Sequence, residues 1–171
     1  MAIETKRYTH NFSIIALAET NEGPHMSSLY QLPGYNSFYQ ETFELKKKGS
    51  GVAMYLLDSL NGTRNNQLSQ VTRNLETLFV SVSSEKGLHT IGVIYRPPGG
   101  NLETALSELS TLLNEAPKNT HIVGDFNQWR NVVFGRPPAG SLAPIWRPLP
   151  QKFNFVQCKL CNANYGQIIK I

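Results

Sequence analysis

Residues 101–115 carry the pattern that most restricts how this chain can fold. Leu102, Ala105, Leu106, Leu109, Leu112 and Leu113 recur at the i, i+3, i+4, i+7 spacing of a single helical face. Asn101 stands where an N-cap belongs, Glu103 suits the first turn, and Pro117 ends the pattern. A helix with one apolar stripe buries it against one surface, so this helix is expected to pack on a sheet. Short strands flank it on both sides. Residues 89–95 form one, and it stops at Tyr95-Arg96-Pro97-Pro98-Gly99-Gly100 because proline cannot continue a ladder. Ile122 and Val123 form the other, which runs into Gly124-Asp125-Phe126-Asn127.

Upstream the pattern is strand and turn. Ser13-Ile14-Ile15-Ala16-Leu17-Ala18 is a continuous apolar run, consistent with a strand buried on both faces, and it ends at Glu19-Thr20-Asn21. Leu32-Pro33-Gly34-Tyr35 is a turn that leads into an aromatic strand over 35–39. Lys46-Lys47-Lys48-Gly49-Ser50-Gly51 is a basic loop before a buried strand over 52–57, and Asn61-Gly62 is a further turn signal. A strand over 77–82 turns at Glu85-Lys86-Gly87 into residues 89–95. Hairpin-like strands followed by strand–helix–strand predict an α/β fold, a mixed sheet covered by helices.

Charge divides the chain. Residues 1–127 hold all 12 acidic residues and 10 basic ones, for a net −2; residues 128–171 hold six basic residues and no acid, for a net +6. Half of the ten prolines also lie in the second part. This break predicts a boundary after Asn127, with a domain over 1–127 and a basic, Pro/Arg-rich, poorly ordered tail over 128–171. Within the tail, short strands are expected near 153–156 and 165–171. Cys158-Lys159-Leu160-Cys161 has the spacing of half a zinc site, with no second pair after it. No apolar run approaches a bilayer span and no signal peptide is visible, so an intracellular site, nuclear or cytoplasmic and not secreted, is expected.

Several residues stand where chemistry could be done. Glu19 is the first charge beyond a buried strand, either a solvated strand end or a cation ligand at the edge of a sheet. Asp125 and Asn127, two apart along an extended chain, turn to one side, and such a pair is either a polar turn or a holder of a hard cation and a phosphate oxygen. Tyr95 is a strand-end tyrosine. Lys46, Lys47 and Lys48, with Arg96, either decorate solvated loops or neutralise a nucleic-acid backbone.

Taken together, Ile-Ile-Ala-Leu-Ala-Glu-Thr (14–20), Leu-Pro-Gly-Tyr (32–35), Lys-Gly-Ser-Gly-Val-Ala-Met-Tyr (48–55), Ile-Gly-Val-Ile-Tyr-Arg-Pro-Pro (91–98) and Gly-Asp-Phe-Asn (124–127) resemble the endonuclease/exonuclease/phosphatase superfamily. More closely, they are similar to the apurinic-endonuclease-like domain of non-LTR retrotransposons. The resemblance implies a partial DNase I-like two-sheet α/β sandwich with its active site at one end. It also implies Mg²⁺ as cofactor, DNA as partner, and a parent polyprotein carrying a reverse transcriptase. Glu19 matches the family's metal-binding Glu, Tyr95 the tyrosine that contacts the scissile phosphate, and Asp125 and Asn127 the pair that positions nucleophile and phosphate.

The family pattern is not fully present. It has an active-site Asn on a strand upstream of the Glu, and further strands, an Asp and a late Asp-His pair downstream; after Asn127 this sequence has no Asp, Glu or His. By this measure the domain reads as truncated at both ends. His121 precedes Asp125 by about 13 Å of strand and His89 opens the strand that Tyr95 closes, so neither replaces the missing His. Two functions are therefore expected to compete: a fragment of a Mg²⁺-dependent DNA endonuclease, catalytically incomplete, and a non-catalytic remnant that binds nucleic acid through the basic 128–171 tail and the Lys46–Lys48 loop. The missing His and Asp favour the second.

Overall fold

The structure is a computed structural model that describes residues 12–20, 31–40, 50–85, 87–97, 99–124, 154–157 and 167–170, the last two segments as backbone alone. Among these residues the elements run β1 (Ile14–Ala18), β2 (Tyr35–Gln40), β3 (Val52–Leu57), β4 (Gly62–Arg64), β5 (Glu76–Ser84), β6 (Gly87–Tyr95), α1 (Leu102–Glu115), β7 (Thr120–Gly124), β8 (Asn154–Gln157) and β9 (Gln167–Lys170). They form two sheets, of order β2-β3-β1-β9 and β4-β5-β6-β7-β8.

The first sheet is antiparallel throughout, with Ala16 opposite Met54 and Phe38 opposite Met54 on the other side. The second is mixed. β4, β5 and β6 are antiparallel; β7 is parallel to β6 because α1 carries the chain back between them, and β8 is parallel to β7. Both expected strands of the 128–171 region are present, one beside β7 and one beside β1.

Two cores follow from the period of two along the strands. Ala16, Ala18, Val52, Met54, Leu56, Leu78, Val80, Val93, Tyr95 and Val123 meet between the sheets. Phe79, Ile94 and Ile122 face the other way and receive Ala105, Leu109, Leu112 and Leu113 of α1. The layers are thus sheet, sheet and helix, the two-sheet α/β sandwich that the motifs imply. The predicted helix is present, with Asn101 as its N-cap accepting a hydrogen bond from the Thr104 amide at 2.9 Å. No helix among the described residues is long and apolar enough to cross a membrane.

Two turns illustrate how glycine is used. Leu32-Pro33-Gly34-Tyr35 closes with the Tyr35 amide donating to the Leu32 carbonyl at 3.1 Å, with Gly34 at φ +84°. Proline second and a left-handed glycine third define a type II turn. Asn61-Gly62, by contrast, is not the turn its dipeptide suggests. Gly62 opens β4, and a Cβ there would lie 2.6 Å from a methyl of Leu56, so the glycine lets the strand approach the facing sheet. Arg64 then ties the sheets along this side, donating to the Tyr39 carbonyl at 2.8 Å and to the Gln40 side chain.

Candidate functional site

The ends of β1 and β6 bring two of the predicted residues to the same end of the sandwich. β1 stops at Ala18, opposite Val52, so Glu19 emerges beside Gly51; the Thr20 amide donates to the Gly51 carbonyl at 3.2 Å. Glu19 is half-buried and holds φ +59°, unusual for a residue other than glycine. The strand therefore ends in a fixed kink with its carboxylate at the tip.

Across the gap, Tyr95 closes β6 and is 3% exposed, its ring packed with the core between the sheets. Directly opposite it on β5 stands Glu76, an acid that reading the sequence passed over. Glu76 is 2% exposed, and its Oε2 accepts the Gly51 amide at 2.6 Å, so a carboxylate of the second sheet grips the backbone of the first. The signal was available in the hairpin: counting back eight residues from Ser84 and forward eight from Gly87 sets Glu76 against Tyr95.

Beyond Tyr95 the chain is held by polar contacts. Arg96 donates to the Gly100 carbonyl at 2.8 Å and braces the proline-glycine loop. Glu108 of α1 accepts from the Thr72 hydroxyl at 2.7 Å and the Asn74 amide at 3.2 Å, and Asn74 in turn receives the Asn101 amide at 2.9 Å. The helix thus fastens the loop that leads into Glu76. β7 finishes at Gly124, opposite Ile94 and so one residue short of Tyr95. Asp125 and Asn127 lie outside the described residues, as do Lys46, Lys47, Lys48, Cys158 and Cys161.

The donor chemistry at this end suits a hard cation. The Thr20 hydroxyl is buried with no hydrogen-bond partner, next in the chain to the Glu19 carboxylate. Oxygen donors of this kind are what Mg²⁺ takes while keeping several of its waters. The described residues alone contain no group of three or more His, Cys, Asp or Glu able to hold a metal, so any such site draws on residues beyond them.

The two histidines among the described residues are elsewhere. His89 and His121 stack on neighbouring strands with ring centroids 5.6 Å apart and Nδ1 to Nε2 at 3.4 Å. His89 lies about 20 Å of strand from Tyr95, at the far end of the second sheet. An open groove of about 830 Å³ also lies away from the site, between Pro33, Tyr35, Phe38, Leu60 and Gly62, and among the described residues no carboxylate or imidazole lines it.

No family model matches the sequence, and no curated protein matches it. Among solved structures the chain is similar to TDP2 of D. rerio, determined in complex with a single-strand DNA product, with 15% sequence identity and a TM-score of 0.47. The likeness covers 75% of this chain and 54% of that one, so the chain spans about half the length of the solved structure it matches.

Proposed function

We propose that this chain is part of a Mg²⁺-dependent DNA endonuclease of the non-LTR retrotransposon type, acting at the end of the sandwich that Glu19 and Tyr95 share. The observation that supports this reading is their convergence: two residues from separate sheets are held at one end through Gly51 and Glu76. Glu19 would hold the cation, and Asp125 and Asn127, next in the chain after β7, would position the nucleophile and the phosphate. Bound there, Mg²⁺ would supply positive charge to the oxygens of a phosphodiester under attack. The Tyr95 phenol, fixed by its packed ring, would donate a hydrogen bond to a phosphate oxygen, a contact that gains strength as negative charge builds. Lys46, Lys47, Lys48 and Arg96 are assigned to the DNA backbone, where positive charge holds the duplex without reading its bases. A reverse transcriptase on the same parent polyprotein belongs to this reading.

The position of His89 and His121 favours a second reading, in which the domain binds DNA without cleaving it. Neither imidazole can reach a phosphate placed between Glu19 and Tyr95. Nicking of supercoiled plasmid in Mg²⁺, beside Glu19→Ala and Asp125→Ala, separates the two. Loss of nicking by at least about a hundredfold in both variants supports hydrolysis at this site, since removing a charge-stabilising group costs that much in comparable chemistry. Retention of duplex binding with no nicking, in protein shown to be folded by circular dichroism, supports the second reading.

A further inference from the structure

We propose that Glu76 is a positioning residue of the candidate site, acting through Gly51 to hold Glu19 in place relative to Tyr95; its catalytic consequence rests on the endonuclease reading above. Glu76 is the one acid among the buried described residues. Leu78, Val80 and Val82 follow it on the same face of β5 and are apolar, so packing alone would favour an apolar side chain there. A carboxylate out of water is disfavoured unless it is well hydrogen-bonded, and an acid kept in such a place is a candidate for function.

Its contact explains what that function is. The Gly51 carbonyl receives Thr20 and the Gly51 amide reaches Glu76, which makes residue 51 a hub for three elements. Its carbonyl accepts from the Thr20 amide at 3.2 Å, and its own amide donates to the Glu76 carboxylate at 2.6 Å. Gly51 sits at φ +89°, a conformation that favours glycine, so the hub is conformationally specified as well as hydrogen-bonded. Glu76 itself is anchored opposite Tyr95 by the β5–β6 ladder. A chain of contacts therefore runs from Tyr95 through Glu76 and Gly51 to Thr20 and Glu19, crossing from one sheet to the other. A hydrogen bond to an ionised acceptor is about twice as strong as one to a neutral acceptor, so an ionised Glu76 would hold the hub more firmly than an amide in its place.

The test is Glu76→Gln in the full chain, which keeps the shape and an acceptor oxygen but removes the charge. Replacing a buried charge by a neutral group of similar volume need not weaken the fold. Three quantities are measured: thermal unfolding, amide exchange of Gly51 and Thr20 by NMR, and plasmid nicking as a function of Mg²⁺ concentration. The expected result is a folded variant whose Gly51 amide exchanges about tenfold faster, the change that weakening one charge-assisted bond produces. The Mg²⁺ concentration for half-maximal nicking rises with it, by several-fold, because Glu19 is no longer held in register.

A variant that melts lower yet keeps the wild-type Mg²⁺ dependence would mark Glu76 as structural only and overturn the proposal. Unchanged Gly51 exchange would overturn it too. If the wild-type chain does not nick, the endonuclease reading fails by itself, and Gly51 and Thr20 exchange still decides whether Glu76 holds the hub. Should the Gln variant not fold, Glu76→Asp, which retains the charge one methylene short, is measured in its place with the same readouts.

Discussion

Glu19 and Gly124 end two strands of the site in opposite ways. Glu19 takes a left-handed φ that its side chain disfavours by on the order of 1 kcal/mol. Glu19→Gly should therefore be more stable than Glu19→Ala by about 1 kcal/mol in urea unfolding, because both lose the carboxylate but only glycine relieves the backbone. Equal stabilities would show that the strain is absent. Gly124 needs no unusual φ; it is required because a Cβ there would stand 2.3 Å from the Ile94 carbonyl oxygen. Gly124→Ala should cost about 1–3 kcal/mol, as overpacking against rigid backbone does, read from the urea midpoint at constant m-value. The sequence marks both positions as strand ends. Only the structure shows that the Ile94 carbonyl approaches Gly124 so closely. Nothing in the residue type foretells the kink at Glu19.

At the scale of elements, α1 is both a cover for the second sheet and a clamp on the site's loops. Its first turn depends on the Asn101 side chain, and Asn101→Ala should destabilise the protein by about 1 kcal/mol in urea or thermal unfolding. Asn101→Asp, which keeps the acceptor, should restore most of that loss. A neutral effect of Asn101→Ala would mean that the cap contributes nothing beyond the packing of the stripe. Helix and strands were legible because periodicity is local: the leucine spacing of α1 and the apolar runs of β1 and β3 depend on a few neighbours each. β4 was not, since its Asn61-Gly62 resembles a turn until the facing Leu56 supplies the reason for the glycine. Glu76 was missed for a related cause. An acid beside Leu75 and Thr77 looks like the solvated start of a strand, and its burial is imposed by the other sheet.

For the molecule as a whole, the 128–171 region and the sheets are joined by backbone pairing. β8 lies parallel to β7, which carries the chain toward Asp125, and β9 lies antiparallel to β1, which carries Glu19. A chain ending at Asn127 would leave β1 and β7 as open edges, and unpaired edges invite association. Such a truncated protein should unfold at lower urea and elute larger than a monomer on size-exclusion chromatography. If instead it matched the full chain in both, residues 128–171 would be dispensable to the sandwich. The change in composition after Asn127 is plain in the sequence, but composition does not encode which sheet a distant strand will join.

The sequence by itself determined the strand–helix–strand order, the face that α1 buries, the N-cap at Asn101 and the strand-end placement of Glu19 and Tyr95. Each follows from spacing along the chain, which physical periodicity converts directly into local structure. Only the tertiary structure decided that Glu19 and Tyr95 share one end of the sandwich, that Glu76 is buried opposite Tyr95 and bonded to Gly51, and that His89 and His121 pair at the other end. Those facts depend on how two sheets meet, and that packing is a property of the whole set of buried residues, which no single segment specifies.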